Sequence, residues 1–246
     1  MSLQVGWRYF PFKSVFIDSD DLVFGGIKIV QLSDLHLTKK VSVKYLAELV
    51  EKINELAPDL VVFTGDILEV NAFGVKEQIK TFASLNSPAY FVSGNHDIIY
   101  GVKQLEELME KSGIVCLDNA IVTIKIKELL IQLVGLSDRY GFLKGIKRMP
   151  KELFLKLNPD LPTILLAHQP KDVEHIGSYR VDIQLSGHTH GGQFFPFTIL
   201  VKLFQPYFSG LYRYNKTNLY VTNGLGYWGI KARYKASSQI PVLTIN

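Results

Sequence analysis

Five short stretches of this chain concentrate the residue types that hold divalent metal ions. They are Ser33-Asp34-Leu35-His36, Thr64-Gly65-Asp66, Ser93-Gly94-Asn95-His96-Asp97, Ala167-His168-Gln169-Pro170 and Ser186-Gly187-His188-Thr189-His190-Gly191-Gly192-Gln193. Carboxylate oxygens and neutral imidazole nitrogens suit zinc, manganese and iron, and an asparagine carbonyl adds an oxygen without charge. Asp34 and His36, like His188 and His190, stand two residues apart, so an extended backbone would turn both members of a pair to one side. Glycines precede Asp66, Asn95 and His188, where they let the chain leave a strand sharply and approach an ion or a phosphate. Five of the six histidines fall in these stretches. A lone histidine beside a strand is more often structural, but five sharing one pattern with Asp34, Asp66 and Asn95 point to a common centre. His175, in Val173-Glu174-His175-Ile176-Gly177 on an expected helix, stays outside it.

The elements that must carry these stretches alternate in type. Ile27–Leu32 is a short apolar run suited to a buried strand, after an extended run around Tyr9–Ile17 and the polar turn Asp18–Asp21. Val43–Leu56 places Leu46, Leu49, Val50, Ile53 and Leu56 at helical spacing, and Ala57-Pro58 ends it. Strands are expected at Leu60–Phe63 and Ala89–Val92, with helices over 75–85 and Val102–Lys111, the latter closed by Gly113. Strand–helix alternation at this period predicts a parallel sheet covered by helices. In such sheets ligands bind beyond the carboxyl ends of the strands, where the metal-ligating residue types stand. After residue 113 the pattern changes to a hairpin, Ile121–Ile126 with Leu129–Leu136, then a helix over Pro150–Leu157. Further strands are expected at Thr163–Ala167, Val181–Leu185, 219–222 and 240–245. This second group predicts two sheets packed face to face with helices outside, in one domain spanning residues 1–246.

The bulk numbers fit that picture. The chain has 246 residues, 47% of them hydrophobic and 20% charged, as in an ordinary globular protein. A formal net charge of +4 suits anionic partners such as phosphate esters or acidic headgroups. Without an extended basic tract interleaved with aromatics, no nucleic acid partner is expected. The single cysteine, Cys116, cannot form an internal disulfide and reads as a small apolar residue. No stretch has the 18 or more apolar residues of a membrane-spanning helix, and Met1–Trp7 lacks the pattern of a secretory signal. The expected location is the cytoplasm or the inner face of a membrane, or outside it if an N-terminal anchor or signal has been trimmed.

Taken together, Asp34-x-His36, Gly65-Asp66, Gly94-Asn95-His96-Asp97, His168 and Gly187-His188-Thr189-His190 resemble the full motif set of calcineurin-like metallophosphoesterases, in order across residues 28–193. The resemblance implies an α/β fold, a four-layer αββα sandwich of two mixed sheets flanked by helices, with residues 194–246 part of the same domain. It also implies two divalent metal ions, manganese, zinc or iron. One would be held by Asp34, His36, Asp66 and His190, the other by Asp66, Asn95, His168 and His188. His96 matches the family's catalytic histidine beside the scissile phosphate, and Asp97 would orient it. Glu69, where many members have aspartate, is given no metal role and is allowed a supporting one. The chain lacks the arginine and glutamate of protein Ser/Thr phosphatases at the corresponding places. The His188–Gln193 run followed by Pro196 is most similar to a subgroup of bacterial membrane-associated phosphoesterases, including UDP-2,3-diacylglucosamine hydrolases of lipid A synthesis and cell-wall phosphodiesterases.

The expected activity is therefore hydrolysis of a phosphodiester or pyrophosphate bond, on a lipid-linked nucleotide in the most specific form. Two ions sharing a water lower its pKa from about 15.7 towards 7. A nuclease or cyclic-nucleotide phosphodiesterase is the enzymatic alternative, and a metal-binding scaffold the non-enzymatic one. The apolar run at 194–208 reads first as core packed over the sheet edge. Its other reading is an exposed lip for a membrane or acyl chains, with Lys144, Lys147, Arg148, Lys202, Arg213, Lys231, Arg233 and Lys235 as the surrounding cations.

Overall fold

The computed structural model describes residues 4–5, 9–20, 23–230 and 232–246. The expectations that fall on 1–3, 6–7, Asp21 and Lys231 lie outside these described residues. The chain opens with β1 (Gln4–Val5), β2 (Phe12–Ile17), β3 (Ile27–Leu32), α1 (Val43–Glu55), β4 (Leu60–Thr64), α2 (Lys76–Lys80) and β5 (Ala89–Val92). It continues through α3 (Asn95–Tyr100), α4 (Val102–Lys111), β6 (Ile114–Cys116), β7 (Ala120–Ile126), β8 (Leu129–Leu136) and α5 (Pro150–Phe154). It closes with β9 (Thr163–Ala167), β10 (Ile183–Ser186), α6 (Phe197–Phe204), β11 (Gly210–Tyr214), β12 (Thr217–Val221), β13 (Ala232–Arg233) and β14 (Ile240–Ile245).

Two mixed six-stranded sheets form the centre. The first has the order β2-β14-β3-β4-β5-β6 and is parallel from β3 to β6. In it β14 runs antiparallel to β3 and parallel to β2. The second has the order β11-β12-β10-β9-β8-β7, with four parallel inner strands and an antiparallel strand at each edge. β1 and β13 pair separately.

The layers follow from which faces are apolar. Ile29, Leu60, Val62 and Val92 of the first sheet pack against Ile131, Leu133, Ile164, Leu166 and Leu185 of the second. On the outer face of the first sheet, Leu46, Leu49, Val50 and Ile53 of α1 and Leu105 and Met109 of α4 cover Val30, Val61, Phe63 and Phe91. On the outer face of the second, Leu153 and Phe154 of α5, with Val173 and Ile176, cover Val134, Leu165 and Val221. Strands buried on both faces need apolar residues at every position. β4 shows this: all five of its residues are buried. Each fully buried Leu, Ile or Phe contributes ~1.5–3 kcal/mol relative to exposure. The Ser42 side chain caps α1 by accepting the Tyr45 N–H at 3.3 Å. The expected αββα sandwich is present.

Three elements differ from expectation. The helix expected over 75–85 is broken into a 3-10 turn at Ala72–Val75, α2 and a 3-10 turn at Thr81–Ser84. The Thr81 hydroxyl donates back to the Gln78 carbonyl at 2.6 Å, which competes with the helical ladder there. α5 stops at Phe154 rather than Leu157. The run at 194–208 does not lie over the sheet edge as core. It forms α6, which exposes Ile199, Leu200, Leu203 and Phe204 by 52%, 51%, 74% and 73%. Among the described residues no helix is long and apolar enough to cross a membrane.

Candidate metal centre

Each of the five stretches leaves the carboxyl end of a strand. Asp34 and His36 follow β3, Asp66 follows β4, and Asn95 to Asp97 follow β5 as the first turn of α3. His168 follows β9, and His188 and His190 follow β10. Parallel pairing within each sheet brings these ends to one edge, and the packing of the sheets brings the two edges together.

The paired residues do not converge through extended backbone. Asp34, His36, Asp66, His188, His190 and Gln193 all have positive φ, between 45° and 72°. They are six of the 11 such non-glycine residues among those described. This conformation is unfavourable for a residue with a side chain, and its clustering marks a site whose surroundings impose the geometry. The loops are tied to one another: Asp34 N–H donates to the Gly65 carbonyl at 2.9 Å, His36 N–H to Asp66 at 3.0 Å and Gly226 N–H to Asp34 at 2.8 Å. Gly187 is required by closeness: a Cβ there would lie 2.1 Å from Ser33 Oγ and 2.2 Å from Asp34 Oδ2.

The side chains meet in a buried cluster. His36 Nε2 lies 3.0 Å from His190 Nε2 and 3.6 Å from Asp66 Oδ2. His190 Nε2 lies 3.3 Å from Asp34 Oδ1, and His168 Nε2 lies 3.3 Å from Asp66 Oδ2. His188 Nδ1 is 3.0 Å from Asn95 Oδ1. Three donor sets converge within 4.8 Å: Asp34, His36 and His190; His36, Asp66 and His96; Asp34, Asp66 and His168.

The outer contacts aim these donors. His168 Nδ1 donates to the Thr64 carbonyl at 2.7 Å, and His36 Nδ1 to Glu69 Oε2 at 2.7 Å. Both leave Nε2 facing the cluster with a free lone pair. His168 Nε2 is buried and turned into the cluster, 3.3 Å from Asp66 Oδ2. The Arg233 guanidinium, buried and donating to the Gly226, Asn223 and His190 carbonyls, lies 3.1 Å from His190 Nδ1. Mixed oxygen and imidazole donors of this kind fit zinc, manganese or iron.

Electrostatics are set by crowding. Burial acts to raise the Asp66 carboxyl, but His168, His36 and His96 outweigh it and hold it well below the usual carboxylate range. Burial acts to lower His168, and Asp66 raises it well above the ordinary imidazole value. Burial together with His36 and Arg233 lowers His190 strongly, and burial with His168 lowers His188.

The expected partner of His96 is replaced. The two oxygens of Asp97 are taken by backbone: Oδ1 accepts from Ile67 N–H at 2.8 Å and Leu68 N–H at 2.9 Å, and Oδ2 from Gly94 N–H at 2.9 Å. His96 Nδ1 instead lies 2.9 Å from Glu69 Oε2, the oxygen that also holds His36. His96 N–H donates to Asp66 Oδ1 at 2.8 Å. His175 is exposed at the end of a 3-10 turn, away from the cluster. The Cys116 thiol is pushed up to about 12 by burial and then by Glu106, so it is not a nucleophile. Of the expected surface cations, Arg148 pairs with buried Asp172 at 2.6 Å and Arg233 sits under the centre. Arg213 pairs with Asp20 at 2.5 Å.

The family model described as calcineurin-like phosphoesterase matches residues 27–192. A metallophosphoesterase of Campylobacter jejuni is 36% identical over 237 residues, 95% of this chain and 62% of that protein. The chain spans about three-fifths of the length of the Helicobacter pylori and Campylobacter relatives it matches (60% and 62%). The UDP-2,3-diacylglucosamine pyrophosphatase LpxG of Chlamydia muridarum is 29% identical over 266 residues, 82% of this chain and 79% of that one. The structure of phosphopantetheinyl hydrolase from Mycobacterium tuberculosis superposes with a TM-score of 0.51 at 14% identity, covering 79% of this chain and 88% of that one, and shares the fold. On the family model over residues 27–192, the two-sheet fold and these relatives, the chain belongs to the calcineurin-like phosphoesterase family.

Proposed function

We propose that this centre hydrolyses a phosphodiester or pyrophosphate bond. The observation that carries the reading is that donor atoms of Asp34, His36, Asp66, His168 and His190 meet in overlapping buried sets, each within 4.8 Å. Asp34, His36, Asp66 and His190 would hold one ion and Asp66, Asn95, His168 and His188 the other. Two such ions supply Lewis acidity and a nucleophilic water at neutral pH. His96 stands at the mouth of the cluster with its ring partly open to solvent, 14% of the side chain exposed. Burial acts to lower its pKa, but Glu69 and Asp66 outweigh it and raise it above the ordinary imidazole value. It stabilises charge on the phosphoryl oxygens or gives a proton to the leaving oxygen, a contribution of about 10²–10⁴-fold. Asp97 acts as a positioning residue, holding the Gly94 and Ile67–Leu68 amides and with them the Asp66 loop.

For the substrate we propose a lipid-linked nucleotide, on the support of the similarity to LpxG. The test begins with metal-free protein titrated with Mn²⁺ on bis(p-nitrophenyl) phosphate and p-nitrophenyl phosphate, then on UDP-linked lipids. Metal-dependent turnover favouring the diester, absent in Asp66→Ala, is expected. His96→Ala should lose ~10²–10⁴ in kcat while retaining both ions. Full activity in His96→Ala would remove its role, and retention of both ions in Asp66→Ala would remove the shared-ligand assignment. Two bound ions without turnover of any ester would favour a scaffold.

A further inference from the structure

A cavity of about 350 Å³ opens directly beside the cluster, between α6 and the loop carrying Trp228. His188, Thr189 and His190 form its floor, and Phe194, Leu200, Val201, Phe204 and Trp228 its walls. Apolar clefts of ~300–1,000 Å³ with polar groups at one end are the usual form of small-molecule sites.

The walls are held by residues that the metal centre does not use. Gly192 has φ +70°, and a Cβ there would lie 2.6 Å from Thr198 Cα, so α6 packs directly on the turn bearing His190. The buried Gln193 side chain donates to the Trp228 and Ile230 carbonyls at 2.8 Å each and accepts the Trp228 N–H at 2.9 Å. Thr189 Oγ1 donates to the Phe208 carbonyl at 2.6 Å and fixes the segment after α6. Thus the Thr189-to-Gln193 run holds both sides of the cavity.

Polarity runs in one direction across the site. His188 and His190, whose imidazoles belong to the cluster, line the cavity at its inner end. Outside the lining, Lys202 Nζ of α6 lies 5.1 Å from the Phe208 ring centre and Lys235 Nζ 4.8 Å from that of Phe195. Away from the centre, α6 offers Leu200 and Phe204, both more than half exposed. Apolar surface of this extent left open on a folded protein marks a binding surface. A phosphate group at the floor and a hydrocarbon chain along α6 match that gradient.

We propose that the cavity is an acyl-chain subsite, taking the hydrocarbon tail of a phosphate ester whose phosphorus lies at the metal centre. The proposal rests on the reading of the centre as a phosphoesterase. It assigns to α6 and Trp228 the selection of amphiphilic over small soluble esters.

The test uses Mn²⁺-loaded protein and p-nitrophenyl alkyl phosphate diesters with methyl, butyl and octyl groups, kept monomeric below their micelle thresholds. Burying one methylene is worth roughly two- to fourfold, so over seven methylenes kcat/KM should rise on the order of 10²–10⁴-fold from methyl to octyl. In Leu200→Gln/Phe204→Gln the octyl-to-methyl ratio should fall towards one. Equal kcat/KM for methyl and octyl esters in the wild-type protein overturns the proposal while leaving the phosphoesterase reading intact. So does an acceleration seen only above the micelle threshold, which would assign α6 to adsorption on a lipid surface. A ratio unchanged in the double variant also overturns it, because the chain would then bind elsewhere. Should that variant fail to fold, inhibition of the wild-type protein by octyl phosphate against methyl phosphate decides the matter instead. Tighter inhibition by octyl phosphate supports the subsite, and equal potency overturns it. Failure to turn over every ester, methyl included, counts against the phosphoesterase reading itself and takes the subsite with it.

Discussion

One carboxylate oxygen, Glu69 Oε2, serves two imidazoles, His36 at 2.7 Å and His96 at 2.9 Å. Burial acts to raise the Glu69 carboxyl, and the two rings bring it down to about 2, so it is an anion throughout the working range. Glu69→Gln keeps the shape and removes the charge. Removing an outer-shell partner of this kind typically costs 10–100-fold, and that loss is expected in kcat or metal affinity. A second readout separates aim from charge. His96 is protonated below its raised pKa and loses the proton as pH rises through it. Without the Glu69 charge that pKa falls, so the alkaline limb of the pH–rate profile should move to lower pH. An unmoved limb would mean that Glu69 does not govern His96. Asp97→Asn should behave differently. It puts an amide NH₂ against one set of backbone N–H donors, which should cost ~1–3 kcal/mol of stability and leave the alkaline limb in place. Thermal melts beside pH–rate profiles would distinguish the two. The ligand types were legible because their spacing repeats at strand ends. The pairing of His96 was not, because adjacency in sequence says little once α3 begins at Asn95. Successive helical residues point about 100° apart, which turns Asp97 away from the His96 ring, onto the Gly94 N–H at the helix start and the Ile67 and Leu68 amides after β4.

Elements were legible where burial dictates composition. β4, β5 and β9 are buried at every position, so their apolar runs are continuous and their ends abrupt. α1 and α4 bury one stripe and show helical spacing. α3 was not legible because six residues give too short a pattern, and α6 because a helix apolar on most sides carries no period that separates it from core. The ends of β5 and β6 carry a testable electrostatic contact. Asp118, after β6, accepts the Ser93 N–H at 2.8 Å and the Ser93 hydroxyl. Burial raises its carboxyl to about 6, with Asp138 adding to the rise and Ser93 opposing it. Its folded-state pKa therefore lies above the ordinary value, so its stabilising contribution is complete below about pH 4 and disappears as pH rises through about 6. Asp118→Asn removes that dependence while keeping an acceptor for the Ser93 N–H. Relative to wild type, the variant should gain about 2–3 kcal/mol between pH 4 and 7. Denaturant melts at those pH values would show it, and parallel curves for the two proteins would refute it.

At the scale of the molecule, the centre is where the two sheets meet. Asp34, His36, Asp66 and Asn95 come from the first sheet, and His168, His188 and His190 from the second. Protein contacts already cross the seam: Gln31 Nε2 donates to the Ser186 carbonyl at 3.1 Å, and His188 N–H donates to Asp34 Oδ1 at 3.0 Å. The existence of two sheets followed from the change of pattern after residue 113. The insertion of β14 between β2 and β3 did not, since pairing between distant segments leaves no local sequence signal. Ions held by Asp34, His36, Asp66 and Asn95 on one side and His168, His188 and His190 on the other would fasten one sheet to the other, and they would bind the folded chain alone, because the unfolded chain scatters these ligands over residues 34–190. Ligand at 100 times its dissociation constant stabilises the folded state by ~2.7 kcal/mol. For a chain of this length each kcal/mol shifts Tm by ~2–4 °C. Stripping the protein with a chelator should therefore lower Tm by roughly 5–10 °C, reversibly on adding Mn²⁺. The Asp66→Ala protein should show little change under the same treatment, since its centre is already broken. If wild-type protein shown by elemental analysis to carry two ions melted at the same temperature with and without chelator, the ions would not be fastening the sheets, and the apolar packing between them, with the contacts of Gln31, His188 and Asp34, would hold the seam.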